Sequence, residues 1–353
     1  MRLIFIIVVA TSLMPISAAP AQAAPLDVKG GYYHFIGDEG GDVDVTAQAA
    51  VLRNMEALTQ YRSIADGSTF PGWQKEWINN LGPGVDRNFV LELNYYGAGE
   101  PTIPRPQTVD GVVVPAPDMT IQQRPGDTWK WAYGYRQVTS GQVDPLLKRA
   151  LDQLKTMPYA ETVNIQLGSE FDTDHEFGTT ENGIAHGWAA SDARALTAVQ
   201  YIIGYFRSHG LPAGVTFSIG MGGWHRASFR RMHPEWLRGD VQVLQWNAYN
   251  HGTPRTPYQV FNRTRAWAIE DLPRWRTKEV VIAEWGTTAN VGNQAVWIAG
   301  AGAAIKRINT DGRGFRIGTL TYYDNDPNWG ELMDRDAGLE ALRSVYTARP
   351  FIG

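Results

Sequence analysis

Glu279-Val280-Val281-Ile282-Ala283-Glu284-Trp285-Gly286 is the stretch from which the rest of this chain can be read. Three β-branched residues and an alanine lead into a carboxylate, an indole and a glycine. The apolar run reads as a short strand buried on both faces, as in a parallel sheet covered by helices. Desolvating a carboxylate at the end of such a strand is costly unless something pairs with it. A purely structural Glu284 would cap a following helix or meet an arginine. The same pattern, an apolar strand closed by polar residues, recurs along the chain, and that repetition favours chemistry.

Outward from this strand, β-like runs alternate with helical stretches. Gly31–Ile36 is a first strand, with a helix expected over Val45–Gln60 from Val51, Met55 and Leu58. Tyr61–Ala65 follows as a strand ending at Asp66, then a helix over Trp73–Leu81 and a strand over Asn88–Asn94. A helix is expected over Asp144–Met157, where Leu146, Leu147, Ala150, Leu151 and Leu154 recur at helical spacing before Pro158. Thr162–Leu167 is the fourth strand, running into Gly168-Ser169-Glu170, and Asp192–Ser208 the helix after it. Val215–Ile219 and Val241–Trp246 are strands five and six, ending in Met221-Gly222-Gly223-Trp224 and in Asn247-Ala248-Tyr249-Asn250. Helices over Tyr258–Leu272 and Gln294–Ile308 flank the opening strand, and Ile317–Tyr323 is strand eight, ending at Asp324.

Eight strands alternating with helices argue α/β with a parallel sheet. The repeat length supports closure. Asn247 and Glu284 lie 37 positions apart, Glu284 and Asp324 lie 40 apart, and Glu170 and Glu284 lie 114 apart, three units of 38. The expectation is a single (β/α)8 TIM barrel over 24–353. The stretch 97–142, rich in Pro and Gly and carrying Trp129 and Trp131, interrupts the rhythm. Leaving the end of strand three, it reads as an insertion that elaborates a binding cleft.

The first 23 residues read as a signal peptide. Met1-Arg2 is a minimal positive region, Leu3–Met14 an apolar core too short to span a bilayer, and Ala21-Gln22-Ala23 a small-residue cleavage site. An exported bacterial protein is expected, extracellular or periplasmic. The chain has no Cys, so stability rests on an ordinary core, and thiolate chemistry and Cys-ligated zinc are excluded. The net charge of −4, with no block of Lys or Arg, gives no support to a nucleic-acid or membrane partner. The 13 Trp and 15 Tyr are core material first, and they also suit stacking on sugar rings. No cofactor is implied, and a monomer is the default.

In barrels of this kind the reacting groups sit at the C-terminal ends of the strands. Here those tips are Asp66, Asn94, Glu170, Trp224, Asn247 with Tyr249, Glu284 and Asp324. Two carboxylates on strands four and seven, sharing one mouth, are what glycoside hydrolysis needs: one protonated to serve the leaving oxygen, one ionised to attack the anomeric carbon. That placement resembles the clan A glycoside hydrolases. Trp246-Asn247-Ala248-Tyr249-Asn250, Val281–Thr287, Trp297, and Leu320–Asp324 followed by Trp329 are similar to glycoside hydrolase family 26, the β-mannanase and β-glucanase family. Arg194–Gly210 resembles that family's helix after the acid/base strand. The likeness covers roughly residues 160–345.

The resemblance implies Glu284 as nucleophile, Glu170 as acid/base and Tyr249 as the donor that orients Glu284. It implies sugar contacts at Trp285 and Trp329, and Asn94, Trp224, His225, Trp246, Asn247 and Tyr323 join them as candidate substrate-binding residues. The substrate class it implies is a β-linked polysaccharide, mannan- or glucan-like, cut internally with retention. One departure stands out: the family places His before the acid/base, and this chain has Ser169. That motivates a second reading, a non-catalytic carbohydrate-binding protein on a hydrolase barrel. A third rests on Asp172, Asp174, His175 and Glu176, which could converge on a divalent cation in a metal-dependent hydrolase. No Gly-punctuated calcium loop accompanies them, so no metal site is assigned and Glu176 is held as the reserve acid. His34, near the first tip, is as easily a structural histidine.

Overall fold

The computed structural model describes residues 28–34, 56–63, 81–92, 94–95, 105–121, 130–168, 192–224, 226, 229–230, 239–288, 292–323 and 335–347. The expectations for the export signal, the helix around 73–80, Asp66, Ser169, Glu170, the 172–176 cluster, His225, Asp324 and Trp329 lie outside them.

Eight strands form one parallel sheet: β1 Lys29–His34, β2 Ala57–Ser63, β3 Asp86–Glu92, β4 Val163–Leu167, β5 Thr216–Ile219, β6 Leu244–Asn250, β7 Glu279–Thr287 and β8 Arg316–Tyr322. Their order is β5-β4-β3-β2-β1-β8-β7-β6, every neighbour parallel. The ends of that series meet. Gln242 N–H and Val243 N–H donate to the Phe217 carbonyl at 3.0 and 3.2 Å, and Asn247 N–H donates to the Met221 carbonyl at 2.9 Å. The sheet therefore closes on itself, and the barrel expected from the repeat length is the fold.

Helices α1 Tyr135–Thr139, α2 Asp144–Lys155, α3 Asp192–Ser208, α4 Pro257–Asp271, α5 Gln294–Thr310 and α6 Arg335–Thr347 accompany it. Each has a local reason. In α2 the apolar residues at helical spacing are the ones buried against the sheet. In α4 Pro257 sits in the first turn, and Thr256 and Gln259 exchange side-chain-to-backbone bonds in a capping box. Between strands and helices lies the apolar core, with Phe206, Phe217, Phe229, Phe261, Phe315, Trp246 and Trp285 fully buried. Each such side chain contributes about 1.5–3 kcal/mol by leaving water.

Two elements differ from the sequence reading. The helix expected over Val45–Gln60 cannot reach Gln60, because β2 already runs from Ala57. Met55 and Leu58 fit helical spacing, but pairing of 57–63 with β1 and β3, which no local window contains, decides the outcome. Strand six is displaced toward its tip: β6 covers Leu244–Asn250, so Asn247, Tyr249 and Asn250 are strand residues.

The 97–142 insertion carries structure of its own. Gln107–Val109 and Val112–Val114 form a hairpin whose turn, Asp110-Gly111, has φ of 49° and 81°, the positive values a two-residue hairpin turn requires. Asn94–Tyr95, Lys130–Ala132 and Met119–Ile121 form a small antiparallel sheet. The hairpin leans on the outside of the barrel: Val109 and Val114 are buried, and Arg149 of α2 lies 3.4 Å from Asp110.

Candidate active site

Period-two alternation governs a strand until something breaks it. Along β7, Val280 and Ile282 are fully buried in the core, while Val281 lines a cavity inside the barrel with Thr319 and Thr321. Continued unbroken, that alternation would send Glu284 outward with Ile282. It is broken. Ile282 pairs with Trp246 and Leu320, and Trp285 pairs with Ala248 and Tyr322, so three positions of β7 span two on each neighbour. The extra residue is a bulge at Ala283–Glu284 that turns Glu284 inward; against β6 the register is regular on both sides of it, and against β8 a second shift, between Val280 and Val281, precedes it.

There the carboxylate meets Tyr249. The phenol, inward on β6, donates to Glu284 Oε2 at 2.7 Å, and the two residues are 3 and 4 % exposed. A bond at that length to a carboxylate is charge-assisted and holds its orientation. Tyr249 is itself held between two rings. Trp224, beyond the end of β5, lies parallel to it with centroids 6.2 Å apart, and Tyr323, after β8, stands edge-on at 5.7 Å. The Arg263 guanidinium of α4 lies over the other end of this stack, 5.0 Å from the Trp224 ring centre. Trp224 is half-buried, so part of its surface is open at the mouth.

The sequence-derived candidates divide accordingly. Glu284, Tyr249, Trp224 and Tyr323 converge at the C-terminal end of the barrel. Asn247 is buried on β6, its N–H spent on Met221. Asn94 opens the short strand after β3.

Trp246 and Trp285 require correction as substrate-binding residues. Trp285 is wholly buried, its Nε1–H donating to Tyr346 Oη at 3.3 Å, its ring 4.9 Å from Tyr322 and 5.5 Å from Phe261. Trp246 is 1 % exposed and stands edge-on to Phe229. Both alternate away from inward neighbours, Trp285 from Glu284 and Trp246 from Asn247, and so end in the shell beneath the helices. Neither has a face to offer a sugar.

One participant was missed by sequence reasoning. The Thr321 hydroxyl of β8 bonds the Ala283 carbonyl, at the bulge itself. Threonine in a strand is ordinary, and no local pattern marks this one. Among the described residues no group of three or more His, Cys, Asp or Glu could hold a metal ion, and no helix is long and apolar enough to cross a membrane.

No protein-family model matches the chain, and no curated protein matches it. Solved structures do. A modular endo-β-1,4-mannanase from Cellulomonas fimi, described with the glycoside hydrolase family 26 mannanases, superposes with a TM-score of 0.55 at 16 % identity, over 93 % of this chain and 72 % of that one. GH26C from a Muricauda species gives 0.54 at 12 % identity, over 93 and 87 %. The catalytic domain of a Bacillus family 26 endo-β-1,4-mannanase gives 0.51 at 13 %, with the same coverages. The chain shares their fold. At these identities the likeness is one of architecture, and the barrel closed by β5 and β6 is what it rests on.

Proposed function

We propose that this chain is an exported, retaining glycoside hydrolase that cuts a β-linked polysaccharide of the mannan or glucan type, with Glu284 as nucleophile and Glu170 as acid/base. The observation that carries the reading is the Tyr249–Glu284 hydrogen bond at the mouth of the barrel, framed by Trp224 and Tyr323. Its shared architecture with family 26 mannanases supports the same choice.

In this mechanism Glu284 attacks the anomeric carbon while Glu170 gives its proton to the departing oxygen. Glu170 then takes a proton from the water that releases the sugar. Both steps pass through an oxocarbenium-like state. The two carboxyl groups should stand about 5–5.5 Å apart, the spacing of double displacement. Tyr249 holds Glu284 Oε2 and so fixes the orientation of the attacking carboxylate. Trp224 and Tyr323 supply apolar faces beside it. The reaction so written needs no metal or cofactor, and one copy of the chain suffices.

The test is hydrolysis of a panel of mannans, β-glucans and xylans by the mature chain, Glu170→Ala and Glu284→Ala, following product size and anomeric configuration. The reading expects oligosaccharides with retained configuration from the unaltered chain and none from either variant. Inverted products would remove the nucleophile role from Glu284. Tight glycan binding without cleavage would instead identify Ser169 as the mark of a binding protein on a hydrolase barrel. Activity abolished by a chelator would revive the 172–176 cluster.

A further inference from the structure

The interior of an α/β barrel is ordinarily filled by layers of branched apolar side chains. Here part of that filling is polar. Thr59, Asn88, Asn164, Gln166, Ser218, Gln245 and Thr321 point inward from six strands, and most are wholly buried. Their bonds run in a definite direction once hydrogens are counted. Asn164 Nδ2 donates to Asn88 Oδ1 at 2.6 Å and to Ser218 Oγ at 2.7 Å, and Ser218 donates to Gln245 Oε1 at 2.6 Å. Asn88 is the fork. One of its amide hydrogens goes to Gln166 Oε1 at 2.8 Å and the other to Thr59 Oγ1 at 3.3 Å.

Each branch ends near the C-terminal end of a strand. Gln166 Nε2 donates to the Gly168 carbonyl at 3.1 Å, two residues before Glu170. On the other branch a hydroxyl has one hydrogen to give. A carbonyl can only accept, so Thr321 donates to Ala283, and the 2.8 Å Thr59–Thr321 contact is then a donation from Thr59. Ala283 sits in the bulge, where the regular ladder fails and a buried carbonyl must find another donor.

We propose that Thr321, fed by the Asn88 fork through Thr59, is the positioning residue that locks the β7 bulge and so holds Glu284 inward against Tyr249. Because a one-residue slip moves a side chain to the opposite face of a strand, loss of the lock lets Glu284 drift from the mouth toward the shell. The role of Glu284 rests on the glycosidase reading; the lock itself does not.

The experiment compares the unaltered chain, Thr321→Val, Thr321→Ser and Thr59→Val by two readouts. The first is kcat and KM on the best glycan of the panel. The second is the titration of the Glu284 carboxyl by carbon-13 NMR, its resonance assigned by its loss in Glu284→Gln. A misplacement of about 1 Å can cost on the order of 100-fold in rate, so Thr321→Val should lower kcat about 30- to 100-fold while KM stays within about threefold. In the same variant the Glu284 titration midpoint should rise, since a weakened hydrogen bond from Tyr249 favours the ionised form less. Thr321→Ser keeps the hydroxyl and should restore both, and Thr59→Val should fall between. A Glu284 midpoint unmoved in a folded Thr321→Val, or a Thr321→Ser no better than Thr321→Val, overturns the proposal. Should the unaltered chain cleave no glycan while the midpoint still moves as stated, the lock stands and the glycosidase reading falls.

Discussion

Glu284 and Trp285 are consecutive in β7, yet one faces Tyr249 in the barrel mouth and the other is sealed under the helices with Tyr322, Phe261 and Tyr346. The two environments differ in kind. The interior is held by directional bonds among amides and hydroxyls, which specify where a backbone carbonyl must sit. The shell is held by area and fit, with Phe206, Phe217, Phe261 and Trp285 filling it. Stability is concentrated in the shell and site geometry in the interior, so changes on the two faces of one strand should have separable consequences.

The largest effect expected from breaking the shell is that of Trp285→Ala. Emptying a fully buried indole site should cost about 3–5 kcal/mol in urea unfolding, with glycan affinity of the folded fraction unchanged. A large loss of affinity at small cost in stability would return Trp285 to the cleft. Tyr346→Phe probes the same shell more gently. The Tyr346 hydroxyl donates to the Gly31 carbonyl at 2.9 Å and accepts from Trp285, and burial pushes its phenol well above the usual range. Removing the hydroxyl leaves two buried groups unsatisfied, so a loss of about 1–3 kcal/mol should appear in the same assay.

Trp224→Ala tests the opposite side. A half-buried ring at the mouth should weaken glycan binding by about 0.5–1.5 kcal/mol, read as a rise in KM or Kd, with little change in unfolding. The smallest effect concerns pH. Arg265 is fully buried in α4 and grips Asp311 with two bonds of 2.9 and 2.7 Å. Burial alone would raise the Asp311 carboxyl, but the Arg265 hydrogen bonds outweigh it and hold it below its ordinary value of 3.8. A carboxyl lowered in the folded state contributes stability above that ordinary value and loses it as pH falls through the lowered one. Asp311→Asn should therefore be less stable near neutrality, and its stability should fall less steeply than that of the unaltered chain below about pH 4. Equal slopes would discount the pair.

Much of this division is legible in the sequence, and the remainder fails for identifiable reasons. Helix α3 runs over Asp192–Ser208, the bounds expected from the sequence, and the eight strands and their closure follow from the spacing of polar tips. Glu284 and Tyr249 are marked by being polar at the ends of apolar runs, and they meet. Trp285, implied by the family resemblance, and Trp246, in the matching strand-six segment, are misassigned because alternation from their inward neighbours sends both into the shell. The bulge has no local signature, because it is defined only against Trp246, Ala248, Leu320 and Tyr322 on other strands. The polar interior is hidden for a related reason: in Val163-Asn164-Ile165-Gln166-Leu167 the alternating Asn and Gln look like a solvent face, and Gln166 is 1 % exposed.

The central claim is that Glu284 is the group that attacks the sugar. Fluorine beside the anomeric carbon slows release of the sugar from a covalent intermediate, because it destabilises the oxocarbenium-like state through which release passes. The mature chain incubated with 2-deoxy-2-fluoro-β-glycosyl fluorides of mannose- and glucose-type oligosaccharides, then digested and sequenced by mass spectrometry, should carry one glycosyl group on Glu284. A label on Glu170 or Glu176 instead, or none in a chain that cleaves the parent glycan with inversion, would contradict the account.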